Sequence, residues 1–349
     1  MESMLDTRCR ILDAAVSIVD YQGSSIQYPA SSIQYLYIMV TVLITGGTGL
    51  IGTALTRSLL AKNYKVITLS REPEKHRPGM ANLSYARWNV DAQTIDVDAI
   101  ANADYIIHLA GAGVADRRWT EKRKQKIVNS RVRGGALITK ALAEHHNHVR
   151  AVLSSSGIGW YGPDPSVPNP HPFTENDPAY NDFLGTTCLQ WENSLEPIKA
   201  LGKRLIKFRT GIVLSREGGA LPEFLRSLRF RIAAILGSGK QIISWIHIDD
   251  LVNLYIEAIE NEKMNGIYNA VSPNPVSNKT LMLELAKKKR GQLFLPVHVP
   301  AFALKLALGE MSIEVLKSAT VSSGKIENTG FNFAYPTIEE AIKNLVGKK

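Results

Sequence analysis

The chain has 349 residues, of which 45% are hydrophobic and 21% charged, enough to bury a substantial core in one large domain or two joined ones. Two cysteines, Cys9 and Cys188, exclude a disulfide framework and a cysteine-based metal site, so we expect a reducing, cytoplasmic setting. No apolar stretch approaches the ~20 residues of a membrane helix, so we expect no membrane partner. The net charge of +9 is typical of a solvated basic surface or of a protein with an anionic small-molecule ligand; nucleic acid is not expected, because the densest basic run, Lys287–Arg290, lacks aromatic interleaving and suits the end of a helix.

Residues 1–38 differ in composition from the rest of the chain. They repeat Ser-Ile-Gln-Tyr at 25–28 and 32–35, and they lack the long apolar core and the cleavage site of a secretory signal. Met39 directly precedes the first predicted core strand. We therefore expect either that Met39 is the natural start or that 1–38 is a loosely attached tail outside the fold.

A glycine-rich turn follows the first core strand. The apolar run 40–44 precedes T-G-G-T-G-L-I-G (45–52), after which a helical pattern begins. Gly46 permits a tight turn, Gly49 lets a pyrophosphate approach the backbone, and Gly52 allows close packing of helix and strand. The amides of the first helical turn would then face a diphosphate. Strand, glycine turn and helix together predict a dinucleotide-binding unit.

The end of the second predicted strand indicates which dinucleotide binds. In this fold, that strand end lies beside the adenosine ribose, where an acidic residue would bind the 2′-hydroxyl of NAD. Here Ser70 and Arg71 occupy the position, with Lys75 and Arg77 nearby. Because a guanidinium can bind the additional phosphate through two hydrogen bonds, NADP(H) is favoured over NAD(H). The alternative is that Arg71 is only a solvated loop residue.

The elements that follow alternate between strand and helix. Small residues (110–112) end one central strand and leave room for a cofactor, and hydroxyls (154–156) end the next, where a nicotinamide would lie. This alternation predicts an α/β fold with a doubly wound parallel sheet of the Rossmann type. Strands are predicted at 65–69, 83–89, 105–109, 150–154 and 205–209, and helices at 50–62, from 117 to about 148 and at 183–201.

Beyond about residue 218 the strict alternation stops and helices dominate. We expect 39–215 to form the NADP(H)-binding domain, with strands returning to it from about 240–270, and 216–349 to form a smaller, mostly helical substrate lobe with the C-terminal domain. Helices are predicted at 220–235, 249–260, 278–290, 301–308 and 337–346, and short strands at 242–246 and 266–270.

Taken together, residues 39–349 resemble the NAD(P)-dependent epimerase/dehydratase superfamily, the extended short-chain dehydrogenases/reductases. More narrowly, they are similar to its atypical branch labelled "epimerase family protein", which has its own C-terminal domain. The resemblance implies a Rossmann domain, a small substrate domain and NADP(H), but no established reaction. The motifs that carry it are 45–52, H-L-A-G-A (108–112), 117–119 with 130–132, S-S-S-G-I-G-W-Y-G (154–162), 183–192, 209–215, 236–251, 300–311 and G-F-N-F-A-Y-P (330–336).

The sequence departs from the superfamily at its catalytic set, which is a Ser or Thr followed by Tyr-x-x-x-Lys. If Glu192 matches the glutamate after that motif, Leu184 takes the place of the tyrosine and Cys188 that of the lysine. Leucine has no proton to transfer, and a thiol is not a permanent cation. The asparagine usual on the fourth helix is replaced by Arg131, so ordinary carbinol oxidation with this machinery is doubtful.

Four residues are candidates for the missing chemistry, each with a structural alternative. Ser156 matches the usual serine, Tyr161 could donate a proton, Cys188 could be a weak acid beside Arg131 or the cofactor, and Glu175 could be a base. A serine at a strand end also caps backbone groups, a tyrosine also packs, and a lone cysteine is commonly a core residue.

A second group of residues near the substrate lobe is interpreted as mainly structural. No further ligand stands near His247 and Asp249 at metal-binding spacing, so no metal is expected, and Asp249 or Asp250 is predicted to cap the next helix. Arg209 could either reach the substrate lobe or cofactor edge or form a buried ion pair.

Two hypotheses follow for function. The first is an NADP(H)-dependent oxidoreductase or epimerase for a polar small molecule, a nucleotide sugar by analogy only; the second is a non-catalytic NADP(H)-binding redox sensor or regulator. The resemblance leaves monomer and homodimer open. Expected cofactor contacts are Gly46, Thr48, Gly49, Leu50, Ile51, Gly52, Arg71, Leu109, Ala110, Gly111, Arg131 and Ser154.

Overall fold

The computed structural model describes residues 17–19, 25–27, 39–77 and 79–347. The chain divides into two units, 1–39 and 40–349. In the first, β1 (Ser17–Val19) pairs antiparallel with β2 (Ser25–Gln27). The expected tail, 1–38, falls mainly outside the described residues, so its separateness and the start at Met39 stay predictions.

The second unit contains all of the remaining elements. Its strands are β3 (Thr41–Thr45), β4 (Lys65–Ser70), β5 (Leu83–Asn89), β6 (Thr94–Ile95), β7 (Tyr105–His108), β8 (Ala151–Gly157), β9 (Arg204–Thr210), β10 (Ile212–Ser215), β11 (Gly218–Gly219), β12 (Ile232–Leu236), β13 (Ile242–Ile243), β14 (Trp245–His247), β15 (Gly266–Ala270), β16 (Val276–Ser277) and β17 (Leu295–Val299). Its α-helices are α1 (Leu50–Ala61), α2 (Val97–Ala101), α3 (Glu121–Glu144), α4 (Phe183–Asn193), α5 (Ala220–Leu228), α6 (Ile248–Glu260), α7 (Asn278–Arg290), α8 (Ala301–Leu308), α9 (Ser312–Leu316), α10 (Gly324–Glu327) and α11 (Ile338–Val346).

Eight strands form the central sheet in the order β15-β9-β8-β7-β3-β4-β5-β6. Every neighbouring pair is parallel except the edge pair β5 and β6. The strand order reverses between β3 and β7, which places a crevice at their carboxyl ends. The predicted fold class, a doubly wound α/β sheet with a helical C-terminal region, is confirmed.

Burial on both faces explains why the central strands consist of continuous apolar runs. Val42, Leu43 and Ile44 in β3 are fully buried. One face packs against α1 and α6 through Leu59 and Leu251, and the other against α3 through residues such as Ile138. A parallel sheet covered on both sides has no polar face, so its strands carry no alternation.

The region beyond β9 contains more strand than the sequence predicts. The helix predicted at 220–235 is wrong beyond Leu228, because Arg231 adopts φ +59° and the following residues form β12, which pairs in parallel with the unpredicted β17. Strand β10 was also not predicted. The helix predicted at 183–201 ends at Asn193 and continues after a break as a 3₁₀ helix, Glu196–Leu201.

A separate apolar core holds this region together. It joins α5, β12, β14, α7 and α11 through Leu221, Ala233, Trp245, Leu281 and Ile342. Among the helices of the described residues, none has the length and the apolar character required to cross a membrane.

Candidate functional site

The glycine turn leaves one open position between β3 and α1. Gly46 has φ +72°, and a Cβ there would lie 2.9 Å from the amide nitrogen of Ala110. A Cβ on Gly52 would overlap the carbonyl oxygen of Gly46. On Gly49 a Cβ would approach only that same oxygen, at 3.3 Å. Gly46 and Gly52 are therefore required by packing, whereas the missing side chain of Gly49 leaves free space.

The start of α1 also lacks the capping found on other helices. Its N-cap is Gly49, which has no side chain to accept a hydrogen bond, and its first turn contains no acidic residue. Among the described residues, none accepts from the amides of Leu50, Ile51 or Gly52. The positive end of this helix is therefore available to an anion. Side chains cap six other helices, namely Asp96 on α2, Thr120 on α3, Asp182 on α4, His247 on α6, Ser277 on α7 and Thr337 on α11.

Arg71 follows β4 at the same edge of the sheet and is exposed. The two neighbouring carboxylates are occupied, because Glu72 pairs with Lys75 at 2.6 Å and Glu74 with Arg87 at 2.6 Å. Within the part of the chain that the structure describes, the Arg71 guanidinium has no carboxylate within 4 Å. Arg71 therefore has no ion-pair partner among the described residues, and it lies at the position where the sequence predicts the 2′-phosphate of the cofactor.

The end of β7 is fixed to β3 by a buried histidine. The hydroxyl of Thr45 lies 2.7 Å from Nδ1 of His108 and accepts from the amide of Ala110 at 3.2 Å. Burial, assisted by the nearby Arg131, lowers the pKa of His108 to about 4. His108 is therefore neutral at pH 7, and it positions Leu109 and the following residues over the crevice.

Arg131 projects from α3 towards this strand end. Its Nη1 donates to the carbonyls of Ala112 at 2.9 Å and Ile127 at 3.0 Å, and its Cζ lies 5.1 Å from the ring of Trp191. A Cβ on Gly111 would lie 3.0 Å from that Cζ. The expected contacts Gly111 and Arg131 are thus packed against each other, and burial lowers the pKa of Arg131.

The serines at the end of β8 are held within the protein. Ser154 is buried, and its hydroxyl donates to the carbonyl of Ser155 at 2.9 Å. Ser156 donates to the carboxylate of Glu192 on α4 at 2.8 Å. Since its proton is committed, the Ser156 oxygen can still accept one hydrogen bond.

Glu192 is the centre of a buried charged network. Arg209 on β9 contacts both carboxylate oxygens, with Nε at 2.9 Å and Nη2 at 3.2 Å, and Lys207 lies at 3.6 Å. All three side chains are at most 3% exposed. Of the two alternatives for Arg209, the structure shows the buried ion pair. Lys207 was not a sequence candidate, although its position near the carboxyl end of a central strand was a usable signal.

Tyr161 belongs to the same network and has no exposed surface. Its hydroxyl donates to Oδ1 of Asn269 at 2.6 Å and accepts from Arg209 at 3.1 Å, and its ring stacks on Phe173. Burial raises the pKa of Tyr161 to about 12. Glu175 accepts from the amide of Asn269 at 2.7 Å. The catalytic roles considered for Tyr161 and Glu175 stay predictions, and this geometry assigns both a structural contact; Asn269 was missed.

Cys188 is also buried, on α4 beneath β8. Its thiol lies 3.6 Å from the carbonyl of Gly157, and burial together with the nearby Glu192 raises the pKa of Cys188 to about 11. The thiol is therefore protonated at neutral pH. The buried environment thus does not supply the lowered pKa that a weak-acid role requires, and the catalytic role considered for Cys188 stays a prediction.

The segment around His247 is structural, as interpreted, but the predicted cap is wrong. His247, and not Asp249 or Asp250, caps α6, with Nδ1 accepting from the amide of Asp249 at 3.0 Å. Asp250 is buried and accepts from the amides of Ala334 and Tyr335. A carboxylate that the sequence suggested as a cap thus anchors the C-terminal segment.

Comparison with known proteins decides the family. Residues 42–270 match the model of the NAD dependent epimerase/dehydratase family, and residues 299–345 match a domain of unknown function, DUF1731. The chain belongs to the NAD dependent epimerase/dehydratase family.

Several relatives share nearly the whole length. Epimerase family protein SSP1921 of Staphylococcus saprophyticus is 33% identical over 311 residues, 87% of this chain and 98% of that protein. The Arabidopsis thaliana protein named "Epimerase family protein SDR39U1 homolog, chloroplastic" is 31% identical and covers 88% of this chain and 87% of its own length. The similarity therefore extends over most of this chain and most of each relative.

Solved structures agree with that assignment. Human epimerase family protein SDR39U1 (isoform 2), crystallised with NADPH, superimposes with a TM-score of 0.76 at 26% identity, over 88% of this chain and 99% of that one. A nucleoside-diphosphate sugar epimerase from Corynebacterium glutamicum gives 0.70 at 32% identity, over 88% of this chain and 58% of that one. The family and the nucleotide-binding fold are thus shown from both sequence and structure.

Proposed function

We propose that this family member binds NADP(H) in the crevice between β3 and β7. The observation that carries the proposal is the uncapped start of α1 beside the open face of Gly49, since free amides and missing side-chain volume suit a pyrophosphate. Arg71 is the group best placed for the 2′-phosphate. The NADPH in the human relative's structure supports this choice, although other structures of the fold contain NAD.

We further propose that the protein is an oxidoreductase or epimerase for a polar small molecule. The bound nucleotide would supply hydride transfer at its nicotinamide ring. Ser156 is the one member of the usual catalytic set that remains, and Glu192 fixes its hydroxyl with an acceptor site free. A nucleotide sugar is the substrate class suggested by the Corynebacterium glutamicum epimerase, by analogy alone.

A non-catalytic NADP(H) sensor is the second candidate, and the state of Tyr161 and Cys188 favours it. Both are buried, and burial raises the pKa of each, so neither is poised to exchange a proton at neutral pH. A protein that only binds the cofactor needs no such group. The two candidates share the cofactor and differ only in turnover.

The cofactor proposal is tested by calorimetry on the Arg71→Glu variant. Replacing the cation by a carboxylate removes a phosphate partner and adds repulsion, so NADPH affinity should fall by about 10- to 100-fold while NADH affinity changes by less than about twofold. Lys140→Glu, an exposed change of the same charge on α3, is the control and should leave both affinities unchanged. Equal losses for NADPH and NADH would refute the assignment of Arg71.

The two candidates are separated by a screen of carbonyl compounds with bound NADPH. An enzyme should oxidise the cofactor with at least one of them, and Ser156→Ala should abolish that oxidation without changing cofactor affinity. Binding of NADPH with no oxidation across the panel would support the sensor.

A further inference from the structure

Two turns lie side by side at one end of the C-terminal region. One, 229–231, connects α5 to β12; the other, 291–294, connects α7 to β17, whose first residue, Leu295, lies beside it. They are neighbours because β12 and β17 are parallel and start in register, Ile232 opposite Leu295. The amide of Leu295 donates to the carbonyl of Arg231 at 2.8 Å. We name this surface, with the adjacent exposed lysines 287–289, the basic–apolar tip.

Large apolar side chains of the tip point into solvent. Phe230 is 78% exposed, Leu293 66% and Leu295 65%. Single exposed apolar side chains are common, but three on two adjoining turns form a patch of the kind that contacts another surface. The structure gives these side chains no part in the cofactor crevice or in the buried network.

The tip and the elements that lead into it are also basic. Segments 220–236 and 278–299 together contain eight lysines and arginines against two glutamates, and so supply two thirds of the net charge of +9. Both glutamates are paired within their own helices, Glu223 with Arg226 and Glu284 with Lys287. The cations of these segments without a carboxylate within 4 Å among the described residues are Arg229, Arg231, Lys279, Lys288, Lys289 and Arg290, of which Arg290 donates to backbone carbonyls.

We propose that the basic–apolar tip docks on an anionic lipid surface. Phe230, Leu293 and Leu295 would enter the boundary between head groups and acyl chains, while the surrounding cations meet lipid phosphates and carboxylates. This mode of attachment requires no membrane-spanning helix, so the absence of a long apolar stretch does not oppose it. The proposal is independent of the cofactor and of any reaction.

Two other occupants fit the tip less well. A second copy of this chain would bring two strongly cationic faces together, which is unfavourable. Single-stranded nucleic acid is bound by stacking of bases on several aromatic side chains, whereas Phe230 is the single aromatic residue among the three exposed apolar side chains of the tip. The combination of aliphatic turn residues with cations favours lipid.

The test is sedimentation of the full-length chain with lipid vesicles. The protein should bind vesicles containing about 30% phosphatidylserine at about 0.1 M salt, bind neutral phosphatidylcholine vesicles weakly, and be released at about 0.5 M salt. Arg229→Glu/Arg231→Glu should reduce the binding at least about tenfold. Phe230→Ser/Leu293→Ser, which leaves the charge intact, should reduce it several-fold, because it removes the apolar contribution alone.

A charge-matched variant serves as control. Lys122→Glu/Lys126→Glu changes two exposed lysines on α3 and should bind vesicles like the parent. Absence of binding to the anionic vesicles, or an equal loss in this control, overturns the proposal. The proposal is also overturned if the protein does not bind vesicles but instead dimerises with increasing concentration, or binds single-stranded RNA, and the tip variants abolish that dimerisation or RNA binding. All variants should melt like the parent, since every substituted side chain is exposed.

Discussion

At the carboxyl ends of β3 and β4, the first amides of α1 and the guanidinium of Arg71 have no partner among the described residues. At the carboxyl ends of β8, β9 and β15, by contrast, buried polar side chains partner one another from Ser156 through Glu192 to Asn269. Both regions border the crevice of one sheet. The first offers groups to a ligand, and the second uses its groups inside the protein.

We infer from this difference that the proposed nucleotide binding and the proposed proton transfer depend on different parts of the structure. A cofactor site needs open backbone and a cation, which the glycine turn and Arg71 supply. Proton transfer needs a side chain that is both accessible and near its pKa, a condition that Tyr161 and Cys188 do not meet. More of the structure therefore supports the proposed NADP(H) binding than supports the proposed reaction.

Removing the carboxylate of Glu192 should have the largest effect on stability. Glu192→Ala leaves Arg209 buried without a compensating charge, whereas Lys207 keeps its ion pair with Glu196, and the change should lower the free energy of unfolding by about 3–5 kcal/mol. Denaturant unfolding measures this change. Where the variant remains folded, its NADPH affinity should be close to that of the parent, because the cofactor amides lie on the other side of the crevice.

An exposed ion pair of similar length provides the control. Arg57 and Glu217 are 2.8 Å apart, with both side chains more than half exposed, so Glu217→Ala should cost at most about 1 kcal/mol. If Glu192→Ala cost no more than Glu217→Ala, the buried network would not hold the second region together.

Gly49→Ala tests the first region, and we expect it to change the affinity for the cofactor and not the stability of the protein. The backbone of Gly49 has φ −79°, which alanine adopts, and the new Cβ would approach only the carbonyl oxygen of Gly46. The methyl group would fill the space expected for the pyrophosphate and lower NADPH affinity by about 10-fold or more, with little change in melting temperature. Unchanged affinity would place the nucleotide elsewhere.

The central sheet was predictable because its signals are local. Each buried strand is a short apolar run bounded by turn residues, and 83–89 and 266–270 were predicted with the bounds observed. Strands β12 and β17 were missed because each is stabilised by the other, about 60 residues away along the chain. The sequence near residues 232–236 carries no signal of that pairing, so the helix predicted from residue 220 was extended through these residues.

What the sequence could say of the candidate site also differs by region. The roles proposed for the glycines and Arg71 depend on their own backbone or charge, so residue type and spacing suffice to nominate them. The environment of Tyr161 depends on Arg209 and Asn269, which different strands bring together. The sequence predicts that Tyr161 lies near the crevice, but it does not show that the Tyr161 hydroxyl already donates its hydrogen bond to Asn269.

Tyr161→Phe should destabilise the protein less than Glu192→Ala and is the sharpest test of the contrast. The change removes one hydroxyl, leaves Asn269 and Arg209 each short of a hydrogen bond, and should lower stability by about 1–2 kcal/mol. If Tyr161 is structural, any NADPH oxidation found with a carbonyl substrate should persist in the folded variant, with an unchanged pH profile. Loss of turnover in a variant that stays folded and binds NADPH would instead make Tyr161 the proton donor, because the stability cost alone cannot remove chemistry from a bound complex. The second region would then be a catalytic site that is closed only until substrate enters.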